Sequence, residues 1–167
     1  MGRIVIPFVL WLLSSAAWAG AGADILFKDL RGVVPEEVVE TLYRDFYASF
    51  LTTSEDGRQL LDEGGRPAQF QAMVEDLNKD GIDEIFVLGG NTFLSGHAGS
   101  SVWLFIHDAD GRYRQQLGFP AASYEILPET SNGFPDLRFG GPGFCQAVWH
   151  WSGVDYEYLR KDGQCDQ

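Results

Sequence analysis

Nine consecutive residues concentrate hard oxygen donors in a way that suits a divalent cation: Asp76-Leu77-Asn78-Lys79-Asp80-Gly81-Ile82-Asp83-Glu84. Oxygen-bearing side chains fall at the first, third, fifth and ninth positions, and glycine at the sixth. Calcium takes six to eight oxygen ligands and tolerates irregular geometry. Alternate residues of a tight loop can turn their oxygens inward around such an ion. Gly81 permits the sharp bend. Ile82 stands where the loop offers a backbone carbonyl, and its side chain is expected to enter the core. Asp76, Asp80 and Glu84 crowd three negative charges into one bend, which is costly without a cation. The expected metal ligands are therefore Asp76, Asn78, Asp80, Ile82 and Glu84, and the expected cofactor is calcium, bound at the weak end of the range found in extracellular modules. The competing reading is a hairpin loop held by Asx-turn hydrogen bonds without an ion. An EF-hand fits poorly, because the twelfth position holds Val87 in place of a bidentate glutamate.

Other chemistry is thinner. The three histidines are His97, His107 and His150. Ser95, Ser100 and Ser101 lie near His97, yet no G-x-S-x-G elbow exists to present a nucleophile. No histidine spacing supports zinc. His107 stands beside Asp108 and reads as a structural hydrogen-bonding residue, and His150 as a strand-surface residue. No catalytic residue is assigned, and of the histidines only His97, in a glycine-rich loop, merits mutation as a test of hydrolase activity. Trp149, Trp151, Tyr156 and Tyr158 could form an aromatic platform for sugar or protein, but cross-strand packing is the plainer expectation.

The elements that must position the acidic loop are legible in the periodicity. Pro35 suits the first turn of a helix. Val38, Val39, Leu42, Tyr43, Phe46, Tyr47 and Phe50 then recur at three and four, making one apolar face. Leu60 and Leu61 read as a short helical turn. From Ala68 the period becomes two. Strands are expected near 68–75, 84–89, 101–107, 112–118, 122–127, 135–140, 144–152 and 155–160. They are separated by turn signals such as Asp110-Gly111, Asn132-Gly133 and Ser152-Gly153. Val102 to Ile106 is apolar on both faces and should be a central strand. Short connections imply antiparallel hairpins. The expected fold is α+β, with an N-terminal helix packed on a mainly antiparallel meander sheet. Gly89 to Ser101 is long for a hairpin connection, and long loops in compact domains are often functional.

The first nineteen residues read as an export signal. Arg3 precedes a ten-residue apolar run, Ile4 to Leu13, and Ala17-Trp18-Ala19 gives the small-x-small cleavage pattern. Cleavage after Ala19 is expected; Ala21 and Ala23 also satisfy the pattern. Ten apolar residues are too few to span a bilayer, which needs about twenty. The expected organisation is a signal peptide over 1–19, a lead-in over 20–34, one domain over 35–160 and a tail over 161–167. The product would be periplasmic or secreted. In that compartment Cys145 and Cys165, the two cysteines of the chain, would form one disulfide. If Gly153 and Val154 tip a hairpin, Cys145 would lie opposite a residue near Asp162.

Composition bounds the partners. The chain carries 12 Lys and Arg against 24 Asp and Glu, a net charge of −12. Removing Arg3 with the leader makes it −13. Such a protein is repelled by nucleic acid and by anionic membranes. Aromatic residues make up 14% of the chain, ample apolar surface to bury, which argues against disorder.

The acidic segment, followed at once by Ile85-Phe86-Val87-Leu88, resembles the calcium loops of FG-GAP repeats, the blades of integrin-type propellers. Only one copy is present, so a propeller is excluded. The order of features from Phe70 to Tyr158 resembles small exported bacterial proteins that carry a single such loop. It includes Trp103-Leu104-Phe105-Ile106, Asp110-Gly111-Arg112-Tyr113, Asn132-Gly133-Phe134-Pro135-Asp136-Leu137 and the hairpin from Trp151 to Tyr156. In place of the cysteine pair often found in that group's glycine-rich loop stands Ser95-Gly96-His97-Ala98-Gly99. The resemblance implies fold and compartment and no activity. The functional expectation is an exported, non-enzymatic binding module with a calcium loop, meeting a protein or a cell-wall component. The alternatives are an inhibitor or immunity protein against a cell-wall hydrolase, and a hydrolase using His97.

Overall fold

A computed structural model describes residues 22–47, 51–141 and 145–163, with Phe46 and Tyr47 described by their backbone alone. The expectations placed on the leader, on the side chains of Phe46 and Tyr47, on Phe50 and on Cys165 lie outside the described residues. The strands are β1 (Leu51–Thr53), β2 (Leu60–Asp62), β3 (Pro67–Glu75), β4 (Glu84–Gly90), β5 (Ser101–His107), β6 (Tyr113–Pro120), β7 (Ser123–Ser131), β8 (Phe134–Gly140), β9 (Cys145–Trp151) and β10 (Tyr156–Gly163). The two named helices are α1 (Glu36–Tyr47) and a single turn, α2 (Thr92–Ser95). Among the described residues no helix is long and apolar enough to cross a membrane.

The α+β expectation of a helix packed on one meander sheet is overturned. The chain is mostly antiparallel β, in two sheets ordered β1-β2-β3-β4-β5-β6 and β10-β9-β8-β7. The break falls at Ala121-Ala122, where the chain leaves β6 and enters the second sheet. The physical reason lies in β4 and β5, which are apolar on both faces and so need cover on both. Ile85 and Val87 face one core with Ala72 and Phe105. Phe86 faces the other, with Val102, Leu104 and Ile106. That second core is closed by the four-stranded sheet, through Phe134, Leu137, Phe139, Trp151 and Tyr156. The period-two alternation thus feeds two cores from one sheet.

The first core is filled by a segment the sequence pattern made a mere lead-in. Residues 22–26 are helical and Lys28–Leu30 form a 3-10 turn lying against β3. Ala23, Leu26, Phe27, Leu30 and Val34 are all buried there. Helix α1 adds Val39, Leu42 and Tyr43 to the same cluster but is not the layer that covers the sheet. Leu60 and Leu61 belong to strand β2, not to a helical turn, and pair with Thr53 and Thr52 on one side and with Ala68 and Pro67 on the other.

Two register shifts matter. One between Leu104 and Phe105 in the β5–β6 pair lets Tyr113 join the first core while Leu117, at the same strand parity, joins the second. The other inserts Leu159 between the Tyr158–Trp149 and Arg160–Val148 pairs. It moves the partner of Cys145 one residue along, from the expected Asp162 to Gly163. Gly163 is two positions short of Cys165.

Candidate metal centre

The acidic loop joins β3 to β4, as a strand-to-strand calcium loop requires. Its bend is made by Lys79 (φ 62°) and Gly81 (φ 89°), both left-handed. The oxygens of the first, third and fifth positions turn into the bend. Asp76 Oδ1 accepts the Asp80 N–H at 3.1 Å, and Oδ2 accepts the Gly81 N–H at 3.0 Å. Asn78 Oδ1 accepts the Asp80 N–H at 3.0 Å. Asp80 Oδ1 accepts the Ile82 N–H at 2.8 Å, and its Oδ2 accepts from Asn78 Nδ2 at 2.8 Å. The bonds from the Asp80 N–H to Asn78 and from the Ile82 N–H to Asp80 are Asx-turn bonds, and each carboxylate oxygen in the loop that accepts one bond retains a second lone pair.

Glu84 opens β4 and behaves differently. It is only 1% exposed, and its Oε2 accepts the Leu77 N–H at 2.8 Å. Burial is the chief reason its pKa is pushed up to about 7; the Leu77 bond opposes this, and the charges of Asp80 and Asp76 add to it. A buried carboxyl looking toward two other carboxylates resists ionising. The loop is fastened to the body at two further points. Leu77, 7% exposed, inserts into the second core. Tyr113 Oη donates to the Asp83 carbonyl at 2.8 Å, from β6.

Four of the five expected ligands contribute side chains that meet the loop's own backbone. The fifth, Ile82, departs from its expected place: its side chain is 40% exposed and does not enter the core, a task Leu77 performs. Among the described residues no three His, Cys, Asp or Glu side chains are gathered closely enough to form a metal cage. As a donor set the residues are all oxygen, three of them carboxylates, which is the chemistry calcium prefers and zinc does not.

No family model, curated protein or solved structure matches the chain. The likeness to FG-GAP loops therefore rests on residues 76–84 themselves.

The glycine-rich connection is an ordered structure. Asn91 caps α2, accepting the Phe93 and Leu94 N–H groups at 3.0 Å each. Its Nδ2 donates to Asp62 Oδ2 at 3.0 Å and to the Pro67 carbonyl at 3.2 Å. Asp62 is 2% exposed and also accepts from Gly64 N, Arg66 N and Arg66 Nε. Arg66 lies 3.8 Å over the ring of the exposed Phe93. Gly89 is needed because a Cβ there would strike the Gln69 carbonyl. The serines are occupied: Ser95 and Ser101 share a buried hydrogen bond of 2.8 Å, and Ser100 donates to the Ala121 carbonyl. His97 is exposed in the turn Gly96–Ala98. Sequence reasoning overlooked Asp62 and Tyr113; an Asn just before a helical turn is a legible cap signal that would have found Asn91.

The remaining residues serve packing. Trp151 and Tyr156 are buried, with ring centroids 5.3 Å apart, and Trp149 pairs with the exposed Tyr158 at 6.3 Å. Tyr156 Oη donates to the Pro135 carbonyl at 2.8 Å. His107 packs edge-on against Tyr113, while Asp108 accepts from the Asp110 and Arg112 N–H groups and from Arg114. His150 stands opposite Glu157.

Proposed function

We propose that the protein is an exported, non-enzymatic binding module whose β3–β4 loop takes calcium through Asp76, Asn78, Asp80, the Ile82 carbonyl and Glu84. The observation that carries this reading is the buried Glu84 at the root of a loop already holding Asp76 and Asp80. Deprotonating it is unfavourable in the free protein and favourable beside a divalent ion, so binding would release a proton near neutral pH. Calcium would supply charge neutralisation and tie the loop to β4; Leu77 and Tyr113 would pass that restraint to the second core and to β6. The register that sets Gly163 opposite Cys145 supports a disulfide to Cys165 holding the tail, in keeping with an oxidising compartment.

Calcium titration by calorimetry in two buffers of different ionisation enthalpy tests the reading. Saturable binding at up to millimolar calcium is expected, with proton release that grows toward slightly acidic pH. Absence of heat, and of any change in melting temperature, would refute it.

A further inference from the structure

The first sheet ends at β6, whose one strand neighbour among the described residues is β5. The backbone groups along its outer edge are offered to no other described strand. Beside that edge lies a cleft of roughly 820 Å³, with helix α1 as its other wall. Five consecutive residues, Gly111 to Gln115, line it. Successive side chains of a strand point to opposite faces, so a cleft touched by all of them runs along the edge of the strand and not over one face. The helix turns Val39, Leu42 and Tyr43 into the first core. Its adjoining stripe, Val38, Thr41 and Asp45, faces the cleft, with Val38 half-buried and Thr41 exposed. Phe105 and Tyr113 supply aromatic surface between the two walls. A cleft bounded by an unpaired strand edge and a helix suits an extended peptide added as a further strand. Main-chain hydrogen bonds hold such a peptide on one side, and its alternate side chains reach the apolar surface.

The charges select the peptide. The chain carries a net charge of −12, yet the strand wall presents Arg112 and Arg114 and no acid. The acids lining the cleft, Glu37 and Asp45, belong to the helix wall, as does Arg44. Arg114 is held by Asp108. Arg112 and Arg44 are held loosely: Arg112 is 3.8 Å from Asp110 and 69% exposed, and Arg44 is 3.4 Å from Asp45 and 64% exposed. Surface pairs of that kind are worth little and exchange for another carboxylate. A second copy of β6 would set these arginines against their own likenesses, which is unfavourable. The other edges are closed to a guest strand: β1 has three residues, β7 contains Pro128, and β10 carries an extra residue, Leu159, at its middle. In β6 the extra residue is Gln116, so regular pairing is available from Tyr113 to Gln115 and the guest strand is short.

We propose that the edge of β6 and the facing side of α1 form a docking groove for a short, extended, acidic segment of a partner protein, paired to Tyr113–Gln115 with its carboxylates on Arg112 and Arg44. This site deepens the binding-module half of the reading above and does not depend on the calcium loop.

The test is a titration of the isotope-labelled protein, in the presence of a calcium chelator, with a capped hexapeptide of alternating glutamate and valine, followed by amide chemical shifts. Saturable shifts confined to residues 111–116 and 38–45 are expected. A peptide with lysine in place of glutamate should bind about fivefold more weakly or worse. The glutamate peptide methylated at every backbone nitrogen should not bind. No saturable shift, shifts centred elsewhere, or equal binding of the lysine or methylated peptide would overturn the proposal. Because the chelator removes calcium from the comparison, failure here strikes the groove alone, whereas absence of calcium heat strikes the loop. Arg112→Glu and Thr41→Trp change exposed residues of the two walls and should melt as the wild type does while weakening the glutamate peptide; unchanged affinity in either would also overturn it.

Discussion

Two buried acids stand at opposite ends of strand β4, and they have been given opposite surroundings. Asp62, next to the end of β4 through Asn91, is 2% exposed; Glu84, at its start, is 1% exposed. Burial pushes both toward the neutral form. At Asp62 this is outweighed by the Arg66 N–H, the Asn91 amide, the Gly64 N–H and the Arg66 guanidinium, so its pKa falls below the ordinary aspartate value. At Glu84 the Leu77 N–H is set against burial and two neighbouring carboxylates, and the pKa rises to about 7. Equal depth therefore does not mean equal role. Asp62 is a finished structural joint whose charge is already answered by the protein. Glu84 is a carboxyl that meets the Leu77 N–H but no cation, next to two more of the same sign.

The contrast can be broken most forcefully at Asp62. Replacing it by alanine strips acceptors from two backbone N–H groups, Arg66 and Asn91 at once, and should lower the melting temperature by roughly 10 °C. Scanning calorimetry should find that loss the same with and without calcium; a calcium-dependent loss would mean the two ends are coupled and the distinction false. Glu84→Gln should do the reverse. The amide oxygen can still receive the Leu77 N–H, so the calcium-free protein keeps its stability at about pH 8, while calcium affinity drops by about tenfold or more, on the order of 1.4 kcal/mol.

How much of this was legible beforehand follows from what each feature depends on. The eight strands from β3 to β10 declare themselves through period-two alternation and Gly- or Asn-bearing turns. Strands β1 and β2 do not, because three residues such as Leu60-Leu61-Asp62 are too few to show a period. The change of sheet at Ala121-Ala122 carries no local signal; it is imposed by the need of Phe86 and Leu104 for cover. The β3–β4 loop is readable from donor spacing, which is local. The choice of Leu77 over Ile82 as its apolar anchor is not, because it depends on where the second sheet sits. Residues 22–34 were hidden for a similar reason: five buried apolar side chains mixed with glycine and charge make no clean stripe.

A smaller effect separates the two acids by pH. A group whose folded pKa lies above its unfolded value contributes stability at low pH and loses it as pH rises through the folded value. For Glu84 that window runs from about 4.5 to about 7, so calcium-free protein should melt progressively lower across it, and Glu84→Gln should flatten the slope. Asp62 has the opposite sign: its contribution is present above the ordinary aspartate value of 3.8 and is lost on further acidification. Melting curves across the range should show both slopes, and their absence would dissolve the contrast. Smallest of all, Ile82→Ser should change stability by no more than about 0.5 kcal/mol and leave calcium affinity within twofold, because its side chain faces solvent and only its carbonyl is called upon.

The account turns on the ion. Its most direct test is a set of melts of the wild-type protein and Glu84→Gln at about pH 8, each with and without millimolar calcium. Calcium is expected to raise the melting temperature of the wild type clearly and that of the variant little. A wild-type protein that melts at the same temperature in both buffers, or a variant stabilised by calcium as strongly as the wild type, would contradict the claim that Glu84 is held for a cation.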